Sequence, residues 1–169
     1  MKNVFYLLLF ILLAPCISPA QTVGNASSES VKIEAQPAKG FAYPYYLYVP
    51  KSMREEIKDA KKTRTILVMP NNAGKTSDDF AVHEADVKRK IKNNAEIADK
   101  LGVAILMPVF PRPQTDWQIY THALDRDAMI TGKKEFARFD LQLVAMIDDA
   151  RAKLAKEKLK IDKRVLMLG

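Results

Sequence analysis

The chain has 169 residues, 48% of them hydrophobic and 28% charged, with a net charge of +7. This composition is too apolar for a disordered chain, and nine prolines and six glycines without a period exclude collagen-like and low-complexity classes. The length suits one domain, and no internal repeat suggests a solenoid.

The first twenty residues read as a secretory signal. Lys2 gives a basic start, residues 4–14 (VFYLLLFILLA) form an uncharged apolar run, and Ser18 and Ala20 set small residues before a cut at Gln21. As a membrane anchor the run is short for a ~30 Å hydrocarbon core. Acylation of Cys16 is disfavoured by Pro15 beside it. Cleavage removes Cys16, the sole cysteine, and with it any disulfide, thiolate nucleophile or zinc–cysteine site; it also removes Lys2, taking the charge from +7 to +6. The expected product is exported, periplasmic or extracellular, without stable membrane insertion. Residues 25–27 (NAS) fit a glycosylation sequon, relevant only in a eukaryotic secretory pathway.

Residues 21–40 read as a flexible leader with a possible first strand, in which Val31, Ile33 and Ala35 alternate with polar residues. Residues 41–49 (FAYPYYLYV) are a stronger strand. Tyr45, Leu47 and Val49 share one face and Tyr46 and Tyr48 the other, with Pro44 at a bend or sheet edge. Residues 52–62 suit a short surface helix. Residues 65–69 (TILVM) are continuously apolar, as strands covered on both faces are. A turn-rich stretch follows (PNNAGKTSDD, 70–79). The spacing then predicts a helix over 84–101 with Val87, Ile91, Ala98 and Leu101 on one face and Gly102 just past its end. Residues 103–107 (VAILM) are a second apolar strand. A long loop from Val109 to about Lys133 precedes a helix over about 134–158, with Phe139, Leu143, Ile147, Ala150 and Leu154 in register. Residues 164–168 (RVLML) are a third apolar strand. Strand, helix, strand, helix, strand implies an α/β class with a parallel sheet and right-handed crossovers. The last strand has no loop after it, so the segment is expected to be the front part of a larger domain.

Few residues carry evident chemistry. G-x-S-x-G is absent. His83 opens the first long helix and is expected to be solvated. His122 lies in the long loop near Asp116 and Asp125; a structural hydrogen bond is its more frequent role. Two separated histidines give no zinc spacing, and no acidic loop has calcium spacing, so neither metal nor cofactor is expected. Gly74-Lys75-Thr76 after a strand suggests a phosphate loop, but Met69 stands where that motif needs glycine. The basic run 151–164 (RAKLAKEKLKIDKR) reads as a solvated helix face with cations near its C-terminus, and no nucleic-acid partner is expected. The polar turn 70–74 (PNNAG) follows the first parallel strand, where backbone N–H groups point above the sheet and can hold a developing oxyanion.

Taken together, residues 46–50 (YLYVP), 67–74 (LVMPNNAG), 98–113 (ADKLGVAILMPVFPRP), 117–126 (WQIYTHALDR) and 140–151 (DLQLVAMIDDAR) resemble the α/β-hydrolase superfamily, in the branch of secreted esterases similar to polyhydroxybutyrate depolymerases and feruloyl esterases. The resemblance runs from about Tyr43 to Gly169. It implies an α/β-hydrolase-like, mostly parallel sheet over residues 41–169, with the apolar runs as the family's third, fourth and fifth strands and the tyrosine-rich strand antiparallel. It also implies a serine carboxylic ester hydrolase acting on a small-molecule or polymeric ester. Gly169 matches the first glycine of the nucleophile elbow, so the serine, acid and histidine are expected downstream and the 169 residues alone are expected to be inactive. The implied oxyanion-hole donors are the backbone N–H groups of Asn71 and Asn72, chiefly Asn72. Trp117, Tyr120 and His122 are candidates for the pocket wall. Two alternatives stay open: a non-catalytic binding protein on this fold, and a small α/β protein holding an anion at the 71–76 turn.

Overall fold

In the computed structural model, the structure describes residues 30–55, 63–71, 74–115 and 138–168. The signal segment, residues 21–29 of the leader and most of the 109–133 loop therefore lie outside the described residues. The described residues form a mixed five-stranded sheet with flanking helices. Its strands are β1 (Val31–Ile33), β2 (Tyr45–Tyr48), β3 (Thr65–Val68), β4 (Val103–Pro108) and β5 (Leu166–Met167). The helices are α1 (Lys51–Glu55), α2 (Phe80–Leu101) and α3 (Phe139–Lys156).

The spatial order is β1-β2-β4-β3-β5. β2 runs antiparallel to both β1 and β4, while β3 is parallel to β4 and to β5. The expected alternation of β2 holds. Tyr45, Leu47 and Val49 enter one core with Ile66, Val68, Ala104, Leu106 and the buried stripe of α3. Tyr46 and Tyr48 enter the other with Ile105, Met107, Val87 and Ile91. α2 and α3 thus cover opposite faces. From β3 the chain crosses through α2 to β4 on one side, and from β4 it crosses back to β5 on the other. Crossovers of one hand that run in opposite directions must lie on opposite faces, as these do.

Each long helix is anchored by its apolar stripe, and each large buried side chain contributes about 1.5–3 kcal/mol. In α3 the expected stripe of Phe139, Leu143, Ile147, Ala150 and Leu154 is buried. α2 begins at Phe80 rather than Glu84, because Asp79 caps it: the Ala81 N–H donates to Asp79 Oδ1 at 2.9 Å. It ends at Gly102, whose φ of +63° is the left-handed conformation expected of a C-terminal glycine. Leu101 departs from its expected burial and is 62% exposed. The last apolar run also pairs less than expected. Only Leu166 and Met167 are strand, bonded to β3 alone among the described residues and about half exposed.

Side chains tie β2 to both layers. The Tyr46 hydroxyl donates to Glu84 and the Tyr48 hydroxyl to Asp99, both on α2. The Tyr45 hydroxyl donates to Asp149 on α3 at 2.8 Å. Beyond the end of β4, Tyr43 lies within ring contact of Phe80, Phe110 and Phe139, at centroid separations of 6.4, 6.0 and 5.8 Å. This cluster pins the N-termini of α2 and α3 to the strand end.

Candidate functional site

Open α/β sheets bind ligands beyond the carboxyl ends of their strands, where crossovers diverge. Here that strand is β3. Its end is bonded on both sides: the Met69 N–H donates to the Leu106 carbonyl at 2.9 Å and the Leu168 N–H to the Val68 carbonyl at 3.0 Å. Pro70 and Asn71 leave from this fixed point. Asn71 is buried and has φ +59°, a left-handed conformation that asparagine tolerates better than most residues. Its Oδ1 accepts a hydrogen bond from Lys90 Nζ at 2.6 Å. The turn that sequence position singles out is therefore at the divergence point, with Asn71 clamped from α2.

Of the other expected site residues, Asn72, Trp117, Tyr120 and His122 lie outside the described residues.

Behind the turn is a charged network that the sequence reading did not assemble. Lys90 Nζ lies 3.0 Å from Asp86 Oδ2, and Asp86 also pairs with Arg89 at 2.6 Å and with Arg112 at 3.2 Å. Burial pushes the Asp86 carboxyl up, but hydrogen bonds from Arg89, Lys90 and Arg112 outweigh it and hold the group at about 2. Arg112 follows β4 and its side chain is only 2% exposed. Its guanidinium packs against Gly74, where a Cβ would stand 2.6 Å from Nη1 and 2.9 Å from Nη2. With φ at +135° as well, glycine is required at position 74 by both space and backbone.

A second set of bonds holds the two strand exits together. The Ser77 N–H donates to the Arg112 carbonyl at 2.8 Å, and the Gln114 N–H donates to Asp78 Oδ1 at 3.0 Å. His83 Nε2 lies 2.8 Å from the Ser77 carbonyl and 3.2 Å from the Arg112 backbone nitrogen. His83 is fully buried, contrary to the solvated position expected for it. The reason is geometric: it precedes Val87 by four residues, so it falls on the same stripe as Val87 and Ile91. That spacing is the signal that would have found it. Arg112 left no such signal, because it sits in a proline-flanked loop.

The phosphate-loop geometry does not form. α2 starts five residues after Lys75, and its first turn is already bonded to Asp79. Among the described residues, no group of three or more His, Cys, Asp and Glu could hold a metal ion, and no helix is long and apolar enough to cross a membrane. Comparison of the chain with protein-family models, with curated proteins and with solved structures found no match.

Proposed function

We propose that these 169 residues belong to an exported serine ester hydrolase of the α/β-hydrolase type, as the N-terminal part of its catalytic domain, and that they supply its oxyanion-hole turn. One observation carries this reading: Asn71, buried and left-handed, leaves β3 at the strand where the crossovers diverge. The resemblance and the strand pattern agree with it, since an aromatic antiparallel strand precedes three parallel ones.

In this reading a serine hydroxyl attacks the ester carbonyl while a histidine takes its proton. The carbonyl oxygen becomes an anion, which the backbone N–H groups of Asn72 and Asn71 stabilise. Collapse expels the alcohol with the proton from histidine, leaving an acyl-enzyme that water releases. The Lys90–Asn71 bond serves this step by fixing the turn before substrate arrives, so no reorganisation is needed as charge develops. Trp117, Tyr120 and His122 border the ester pocket. The 169 residues contain no G-x-S-x-G, so the nucleophile is not among what they supply.

Two assays test this. The 169 residues alone, given p-nitrophenyl acetate, turn over nothing that a serine-directed inhibitor blocks. In the product of the complete gene, Asn72→Pro deletes one donor and lowers kcat by about 10²–10³-fold. Inhibitor-sensitive turnover by the 169 residues, or full activity in Asn72→Pro, overturns the proposal.

A further inference from the structure

Beside the charged network is a cavity of about 420 Å³ whose lining includes Gly74, Lys75, Val82, Asp86, Arg89 and Arg112. Three of these side chains are cations and one is an anion. The cations belong to three different segments: Lys75 to the turn, Arg89 to α2 and Arg112 to the exit of β4. They converge on one hollow. Among the described residues Asp86 is the only carboxylate in the lining, and it is shared among Arg89, Arg112 and Lys90.

The floor and the rim differ in a way that suits a ligand. Arg112 is buried at the floor and held by Asp86 and by its seat on Gly74. A charge in that position acts through less solvent than one on the surface, so it attracts an anion more strongly. Arg89, 61% exposed along its side chain, and Lys75, also exposed, stand where they can close over an entering group. Guanidinium groups donate in a planar fork that matches carboxylate and phosphate oxygens. Val82 supplies an apolar wall. The cavity also opens at the carboxyl end of the sheet, the end at which this class of fold receives ligands.

We propose that this cavity binds a small oxyanion, the carboxylate or phosphate group of a ligand, between Lys75, Arg89 and Arg112. This inference does not depend on ester chemistry, because it needs no nucleophile and no Asn72 donor. It stands if the 169 residues prove to belong to a non-catalytic protein.

The test is titration of the 169-residue chain with inorganic phosphate and, separately, with acetate, each at constant ionic strength, followed by backbone amide resonances. Saturable shifts at Gly74 and Lys75 are expected with at least one anion; the one that saturates identifies the source as phosphate or carboxylate. Lys75→Gln combined with Arg89→Gln removes two charge-assisted contacts and weakens binding about 100-fold, about tenfold for each. Both positions are exposed, so the variant keeps the fold. Lys100→Gln, exposed at the far end of α2, leaves binding unchanged. No saturation with either anion, or saturation that the double variant retains, overturns the proposal.

Discussion

Asp149 and Asp86 lie on helices that pack against opposite faces of the same sheet, and their surroundings differ in kind. Asp149, on α3, has a side chain 4% exposed. It accepts from the neutral Tyr45 hydroxyl at 2.8 Å and from Lys39 at 2.6 Å, with Lys153 at 3.9 Å. Tyr45 and Lys39 come from β2 and the turn before it, over 100 residues away in the chain. Asp86, on α2, is 16% exposed and is held by three cations, two of them on its own helix. Asp149 therefore joins distant parts of the chain with its charge nearly balanced, which is what a structural tie needs. Asp86 is outnumbered, and it fixes cations in place at the carboxyl end of β3 and β4. The same residue type does different work according to how many opposite charges surround it.

The largest expected effect comes from breaking the tie. Burial pushes the Asp149 carboxyl up, yet its bonds to Lys39 and Tyr45 hold it below the usual carboxylate range, and burial together with Asp149 pushes the Tyr45 hydroxyl up. Asp149→Ala leaves a buried hydroxyl and an ammonium without their acceptor and destabilises the fold by about 3 kcal/mol in urea unfolding. Tyr45→Phe removes one donor, leaves Lys39 in place and costs about 1 kcal/mol. If Asp149→Ala costs no more than Tyr45→Phe, the carboxylate is not the tie described.

Asp86→Asn comes next, at about 2 kcal/mol: the amide keeps one acceptor oxygen for the buried Arg112, and of the three cations the exposed Arg89 can turn toward water. Its pH dependence sharpens the comparison. The Asp86 carboxyl is held at about 2 against an ordinary value of 3.8. A carboxyl depressed by folding adds stability above its unfolded value and loses it as pH falls through the folded one. Wild type should therefore lose part of its advantage over Asp86→Asn between about pH 4 and pH 2. Asp162, Glu84, Asp140 and Asp149 are also depressed, so the difference between the two melting profiles is the informative quantity. A difference that stays constant across that range refutes the assignment.

Much of the fold was legible because burial repeats with the period of each element. β2 divides its residues between two cores as alternation requires, and α3 buries the stripe its spacing indicates. The same reasoning failed where period and neighbourhood part company. Leu101 shares the angle of Val87 and Ile91 on α2 but stands in the last turn, beyond the packed surface, and is exposed. Residues 164–168 are apolar enough for a central strand, yet apolarity does not report how many neighbours a strand has, and the described pairing is to β3 alone. At the candidate site, the position of Asn71 was legible from the turn after an apolar strand. Its support was not. Asp86, Arg89 and Lys90 carry no pattern that marks them as a site, because a sequence does not display that Arg112 returns to them from β4.

The smallest expected effect separates backbone from side chain at Asn71 itself. Its φ of +59° is unfavourable for alanine by about 1 kcal/mol and open to glycine. Both substitutions delete Oδ1 and release Lys90, so that loss is common to the pair. Glycine's greater freedom in the unfolded chain works against it by somewhat less than 1 kcal/mol, which narrows the gap without closing it. Asn71→Ala should therefore unfold at lower urea than Asn71→Gly, by an amount equivalent to a few tenths of a kcal/mol, with both below wild type. The Asp86–Arg112 pair should persist in both variants, because neither substitution touches it. If alanine is tolerated better than glycine, the turn relaxes out of the left-handed region once its side chain is gone. The Lys90 clamp would then be what creates the conformation, whereas the reverse order means the backbone path out of β3 imposes it and Lys90 only holds it still.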